Sequence, residues 1–371
     1  MPVTKKWCYF DHAAVAPLPQ ISYESISQWA RQATEDGDAV WLSWLELHEN
    51  CRESAAKIIG ADLTEIALVP NTTFGINLVA DGLDWRPGDN VVLPEHEFPS
   101  NLYPWMSLAS RGVELRQVPL DGYRVDVNRL ADAIDERTRV VSVSWVGYSS
   151  GYRIDPKEIA DAVHEKGALL FLDAIQGMGV FPLDVKEADI DFLAADGHKW
   201  MLGPEGAGIF YSKREHLKRL RPMNIGWRSM KQGDSFTHVE LDVLDTAARY
   251  EGGSQNTGGF IALGASLNWL QEFGLSTSSN TIAERVLAVS DEMVAALESA
   301  GAIVHSERGE GISSGIVLFE VPGRDPESVR NELLDNQIVT SFRGGHVRAA
   351  AHCYNNSNDI DRMVEIIKQI M

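Results

Sequence analysis

Along the middle of the chain, short apolar runs alternate with stretches whose apolar positions recur every three or four residues. The runs Glu65–Val69, Asn90–Leu93, Val140–Trp145, Ala168–Leu172, Asp191–Ala194 and Gly208–Tyr211 predict strands. They are mostly apolar and lie between helical patterns, as in a parallel sheet clad by helices on both sides. Asp155-Pro156-Lys157-Glu158, ahead of a helix-periodic stretch, supplies an N-cap, a proline at the first helical position and a capping-box glutamate. Trp85-Arg86-Pro87-Gly88-Asp89 predicts a turn into a strand, and Gly167 and Gly179 end loops. After Gly259 a long helical pattern begins near Phe260, broken once at Ser276–Thr281. A short mixed segment follows and closes on a helix whose stripe is Ile360, Met363, Val364 and Ile367. The expected class is α/β: a large domain over 20–260, a small α+β domain over 261–371, and an N-terminal segment 1–19 joining them.

Composition narrows the partners. Of 371 residues, 44% are hydrophobic and 23% charged, as in an ordinary globular chain. The formal charge of −20 lacks the basic field that nucleic-acid phosphates require, so no nucleic-acid partner is expected. Cys8, Cys51 and Cys353 are too few and too scattered for a disulfide framework or a CxxC metal site. No metal is therefore expected, and a reducing, cytoplasmic setting is the default. No apolar run reaches bilayer-spanning length and the first residues lack a signal-peptide core, so no membrane role is expected.

Three features fall at the carboxyl ends of predicted strands, where open parallel sheets bind ligands. Asp173 follows the apolar run Ala168–Leu172, in Asp173-Ala174-Ile175-Gln176. An acid there needs a positive partner, and a protonated pyridinium nitrogen is one. Taken alone it reads equally well as a helix N-cap or a ribose-binding acid. Lys199, in Asp196-Gly197-His198-Lys199-Trp200, sits on the next strand-and-loop unit, beside Trp200, Met201 and Leu202. Partial desolvation would lower its pKa and free a nucleophilic amine, although single lysines are more often surface charges. Pro70-Asn71-Thr72-Thr73-Phe74-Gly75 leads from a strand into a helix, whose first amides and hydroxyls can hold an anion or merely cap the helix. No GxxxxGK[ST] or GxGxxG stretch competes as a phosphate loop.

In this order, the motifs Tyr9–Ala14, Pro70–Asn77, Asp89–Trp105, Asp173–Gln176, Gly197–Lys199, Glu251–Gly259 and Arg348–Asn355 resemble the class V aminotransferase group of fold type I enzymes, which use pyridoxal 5′-phosphate (PLP). That group includes the cysteine desulfurases. The resemblance implies a large domain with a mostly parallel seven-stranded sheet plus a small α+β C-terminal domain. It implies that Lys199 is the Schiff-base lysine and Asp173 the partner of the pyridinium, with Gln176 at the phenolic oxygen. Thr72, Thr73 and His198 are placed at the phosphate, and Ser254 reaches it from a neighbouring subunit, which implies a homodimer with shared sites. Arg348 is implied to grip the substrate α-carboxylate, where without the resemblance it reads as a surface ion pair.

Three departures matter. Phe98 stands where desulfurases stack a histidine on the cofactor ring, and a phenyl ring cannot move protons. His96 is the alternative at that position. Tyr148 occupies the place of an asparagine found in many relatives. The run Ser341–His346 leads straight to Arg348 and leaves no room for the desulfurases' cysteine loop, while Cys353 reads as buried structure. The leading expectation is therefore a class V aminotransferase acting on the α-amino group of a small amino acid. The alternatives are a carbon–sulfur lyase without a cysteine nucleophile, a persulfide-forming desulfurase, an epimerase of the isopenicillin N epimerase type, and a non-catalytic scaffold.

Overall fold

Burial on both faces decides the layout. In the computed structural model, which describes residues 1–233, 235–237 and 239–371, the apolar runs form one seven-stranded sheet. Strand β1 is Cys8–Tyr9; the large sheet comprises β2 (Ile66–Val69), β3 (Asn90–Pro94), β4 (Glu114–Val118), β5 (Thr138–Ser144), β6 (Leu169–Asp173), β7 (Phe192–Asp196) and β8 (Gly208–Ser212). Their spatial order is β2-β8-β7-β6-β5-β3-β4, and only β8 runs against its neighbours. Every residue of β2, β3, β7 and β8 is buried, as continuous apolar runs require. β4 is absent from the six predicted strands. It is an edge strand reading Glu-Leu-Arg-Gln-Val, exposed or half-buried until its last residue, so its apolar signal is weak.

The predicted boundaries slip by one or two residues where a polar group finishes the strand. β6 ends on Asp173 and β7 on Asp196, so both carboxylates stand at the same edge of the sheet. Asp191 falls just before β7 and becomes a buried hub, accepting from the Leu170 amide at 2.7 Å with His164 and His216 at 2.7 and 2.6 Å. At the helix Pro156–Glu165, Asp155 accepts from the Lys157 amide at 2.9 Å as its sequence predicts, but without the return bond from Glu158.

The helix Thr257–Glu272 packs against the helices Gln20–Glu35 and Trp41–Ile59. The contact is close: a Cβ on Gly258 would stand 2.5 Å from the Trp29 ring. Its successor, Thr281–Ser299, starts at the end of the predicted Ser/Thr break.

The C-terminal part contains β9 (Ile303–Val304), β10 (Ile316–Glu320), β11 (Ile338–Val339), β12 (Ser341–Arg343) and β13 (His346–Ala350). β12-β13-β10-β9 form an antiparallel sheet, and Val317, Phe319, Val347 and Ala349 on one of its faces share a core with Ile360, Met363, Val364 and Ile367 of the last helix. β12 and β13 are joined by Gly344-Gly345 alone, with φ of +57° and +82°, the positive pair a two-residue hairpin turn demands. β1 pairs with β11, which ties the first residues of the chain to this C-terminal part.

Candidate active site

The carboxyl ends of β2, β6 and β7 open onto a cavity of about 410 Å³. Thr72, Thr73, Phe98, Tyr148, Asp173, Gln176, His198, Lys199 and Arg348 all line it. Of the residues expected at the site from the sequence, only Ser254 lies elsewhere, exposed on the Glu251–Asn256 segment.

Lys199 is 8% exposed. Burial lowers its pKa to about 8, against the pull of the Asp173 charge; the Arg348 charge adds to the lowering. The loop that presents it is tightly made. A Cβ on Gly197 would stand 2.6 Å from the Ala207 carbonyl oxygen, and Leu202 takes a φ of +56° while its amide donates back to the Lys199 carbonyl at 3.0 Å. A bulky residue in the left-handed region stores strain, here one turn from the reactive amine.

Asp173 is 2% exposed and takes one amide bond, from Ile175 at 3.1 Å. Burial raises its pKa to about 6, while the Ile175 amide and Lys199 work the other way. A cationic partner is what such a carboxylate lacks. Gln176 bridges the Ala13 carbonyl, to which its Nε2 donates at 3.0 Å, and the Trp200 indole, from which its Oε1 accepts at 2.7 Å. One amide hydrogen remains for a ligand oxygen.

At the anion end, the helix Thr72–Gly82 starts at the cavity with Asn71 as its cap. Thr72 Oγ1 accepts from the Asp196 amide at 2.9 Å, which locks this helix start to the end of β7, and Thr73 donates to Ser100 at 2.8 Å. His198 Nδ1 lies 3.0 Å from an Asp196 oxygen, yet this nitrogen and Asp196 Oδ1 are both buried without a hydrogen-bond partner. The helix start, with the Thr72 and Thr73 hydroxyls and the His198 imidazole on the cavity wall, suits a phosphate-bearing ligand, while the Asp196 carboxylate faces the imidazole. The donor set thus fits PLP: an amine, a buried acid, an amide and an anion cradle.

Phe98 and Tyr148 meet edge to face, ring centroids 5.2 Å apart, and Lys199 Nζ is 5.5 Å from the Phe98 ring centre. His96, with a φ of +63°, lines a separate cleft beside Glu97. Arg348 is 1% exposed; it donates to Ser341 Oγ (3.0 Å), the Tyr148 carbonyl (2.6 Å) and Asp11 (3.2 Å). These bonds engage three of its five N–H groups and leave two for a ligand. Asp11, Asp196 and Ser341 have no role in the sequence reading, and neither does Arg343, a second guanidinium on the cavity wall. Asp11 and Arg348 are 337 residues apart, so no local spacing could have paired them.

Among the described residues, no cysteine lines the cavity. Cys8 and Cys51 are buried and Cys353 half-buried, and burial pushes the three thiols up to about 11, 12 and 11.

The family model described as Aminotransferase class-V matches residues 8–363, and the chain belongs to this family of PLP-dependent enzymes. It is 31% identical to a probable cysteine desulfurase of Methanothermobacter thermautotrophicus, over 100% of this chain and 96% of that protein. It is 30% identical to a cysteine desulfurase of Escherichia coli, over 98% and 93%. Among solved structures, the apo cysteine desulfurase of Thermococcus onnurineus superposes with a TM-score of 0.89 at 26% identity, covering 100% of this chain and 96% of that one. The cystine C–S lyase C-DES, solved with cysteine persulfide, superposes with a TM-score of 0.92 over 99% and 98%; at 22% identity it speaks for the fold. Among the described residues, no helix is long and apolar enough to cross a membrane.

Proposed function

We propose that this PLP-dependent enzyme cleaves the carbon–sulfur bond of a small sulfur-containing amino acid by β-elimination, without passing sulfur to a thiol of its own. The observation that carries this reading is the pairing of Lys199, buried on the cavity wall, with a cavity that no cysteine lines. Relatives named cysteine desulfurases support a sulfur substrate. The two-residue Gly344-Gly345 turn ahead of Arg348 supports the lack of a thiol-bearing loop there. For the same reasons, the amino-transfer expectation stands second.

PLP, when bound, supplies an electron sink for the negative charge that develops at the substrate Cα. The chain's own groups do the rest. Lys199 Nζ takes the Cα proton, and the Cβ–S electron pair leaves with sulfur, so no reductant is consumed. Asp173 keeps a positive nitrogen partner charged. Arg348 holds the carboxylate with its two free N–H groups, and Phe98, beside Lys199 on the cavity wall, offers an apolar ring that does not compete for protons. Thr72, Thr73 and His198 hold the phosphate, and the exposed Ser254 serves the site of a second copy in a homodimer.

Products separate the readings. Incubation of the PLP-loaded protein with cysteine or cystine, scored for sulfide, pyruvate and alanine, should give pyruvate and little alanine, with Cys353→Ser within a fewfold of wild type. Alanine with a persulfide on Cys353 would make the protein a desulfurase. Accumulation of the aminated cofactor with a keto acid would make it an aminotransferase.

A further inference from the structure

Away from the cavity, three strands of the small sheet bring two imidazoles and a carboxylate together. His305 follows β9, Glu320 ends β10 and His346 begins β13. In this sheet Leu318 lies opposite Arg348 and Phe319 opposite Val347, while the His305 amide donates to the Leu318 carbonyl at 2.8 Å. Side chains alternate along a strand, so His305, Glu320 and His346 share the face opposite Phe319 and Val347, which are packed in the core. The imidazole rings stand 4.2 Å apart.

The donor arrangement is unbalanced. His346 Nδ1 lies 2.9 Å from the Gly344 carbonyl, which only an N–H can satisfy, so in the neutral ring Nε2 carries the lone pair. That Nε2 faces Glu320 Oε2 at 3.7 Å, and His305 Nε2 faces the same oxygen at 3.3 Å. His305 Nε2 is buried and has no hydrogen-bond partner. Two ring nitrogens thus converge on one carboxylate oxygen, and the ligand atoms of the three residues lie within 4.8 Å of one another.

We propose that His305, Glu320 and His346 bind a divalent late transition-metal ion of the zinc type. Metal–nitrogen and metal–oxygen bonds of about 2.0–2.2 Å in a tetrahedron place neighbouring ligand atoms roughly 3.3 Å apart. The His305–Glu320 separation already has this value, and the His346–Glu320 separation needs a few tenths of an ångström. The Gly344 carbonyl fixes the His346 tautomer as an outer partner does in metal sites. Two imidazoles and one carboxylate leave one position for water and favour zinc, cobalt or nickel over magnesium and calcium, which take oxygen ligands.

The test uses untagged, PLP-loaded protein treated with chelator, dialysed and titrated calorimetrically with zinc chloride, with magnesium chloride as control. One equivalent of zinc should bind, and His305→Asn or His346→Asn should weaken it by at least about tenfold while leaving the PLP absorbance unchanged. Glu320→Gln, close in shape, serves where either histidine variant fails to fold and should weaken zinc similarly. No zinc uptake by the wild type, uptake unchanged in the substituted proteins, or equal binding of magnesium would overturn the assignment.

Discussion

Burial of Lys199 makes its capture of the cofactor a function of pH that can be worked out in advance. An ordinary lysine titrates at 10.5, and this one at about 8. At pH 7 the reactive, unprotonated fraction is then about a tenth instead of roughly one part in three thousand, a gain of about 300-fold. Only the free amine attacks the PLP aldehyde, so the second-order capture rate should rise nearly tenfold per pH unit below 8 and level off above. Asp173→Asn removes the charge that props the lysine pKa up, so the inflection should move to lower pH even as the cofactor is held less firmly. The assay mixes apo protein with substoichiometric PLP from pH 7 to 10, quenches with borohydride and follows the adduct on Lys199 by intact mass and peptide mapping. The same shift carries a stability sign. A lysine whose folded pKa is depressed binds fewer protons than the unfolded chain between about 8 and 10.5, so its contribution to apo stability improves as pH rises through that window. A capture rate still climbing tenfold per unit between pH 9 and 10, or an adduct on another lysine, would refute this account of the amine.

Asp173→Asn should also slow turnover on the order of a hundredfold or more, read as kcat with saturating PLP. Arg348→Lys forfeits the forked contact to the carboxylate, about 2 kcal/mol, and should raise KM roughly thirtyfold with a smaller change in kcat; a melting curve checks that the lost bonds to Ser341 and Tyr148 have not unfolded the protein. Mixing Lys199→Ala subunits with subunits damaged at Ser254 should restore activity through one intact site per heterodimer, and no recovery after verified exchange would count against shared sites.

What the sequence revealed follows from how local each signal is. Mostly apolar runs marked the buried strands because both faces are covered, and Asp173 stood out because it ends such a run, Lys199 because it follows on the next strand-and-loop unit ahead of a glycine-rich turn. β4 escaped because an edge strand rich in polar residues has no such constraint. The Asp11–Arg348 pair escaped because its two members stand in separate motifs that only the fold brings together, and the His305–Glu320–His346 cluster because its members meet only through sheet pairing and have no motif around them. Phe98 was legible as a departure from a pattern, but its contact with Tyr148 depended on the fold.

The first residues of the chain are held by the last. Phe10 accepts from the Ala350 amide at 2.6 Å, the Ala16 amide donates to the His198 carbonyl at 2.7 Å, and Ala13 holds Gln176. During synthesis the opening segment therefore waits, unpaired, until β11 and β13 have left the ribosome, and the wall that includes Arg348 cannot form before then. Lys199 emerges much earlier, before Arg348 and the strands that pair with the N-terminal segment have been made. The enzyme cannot complete its substrate site on a half-made chain, and loss of the first sixteen residues, distant in sequence from every reactive group, would leave that site open in the finished one.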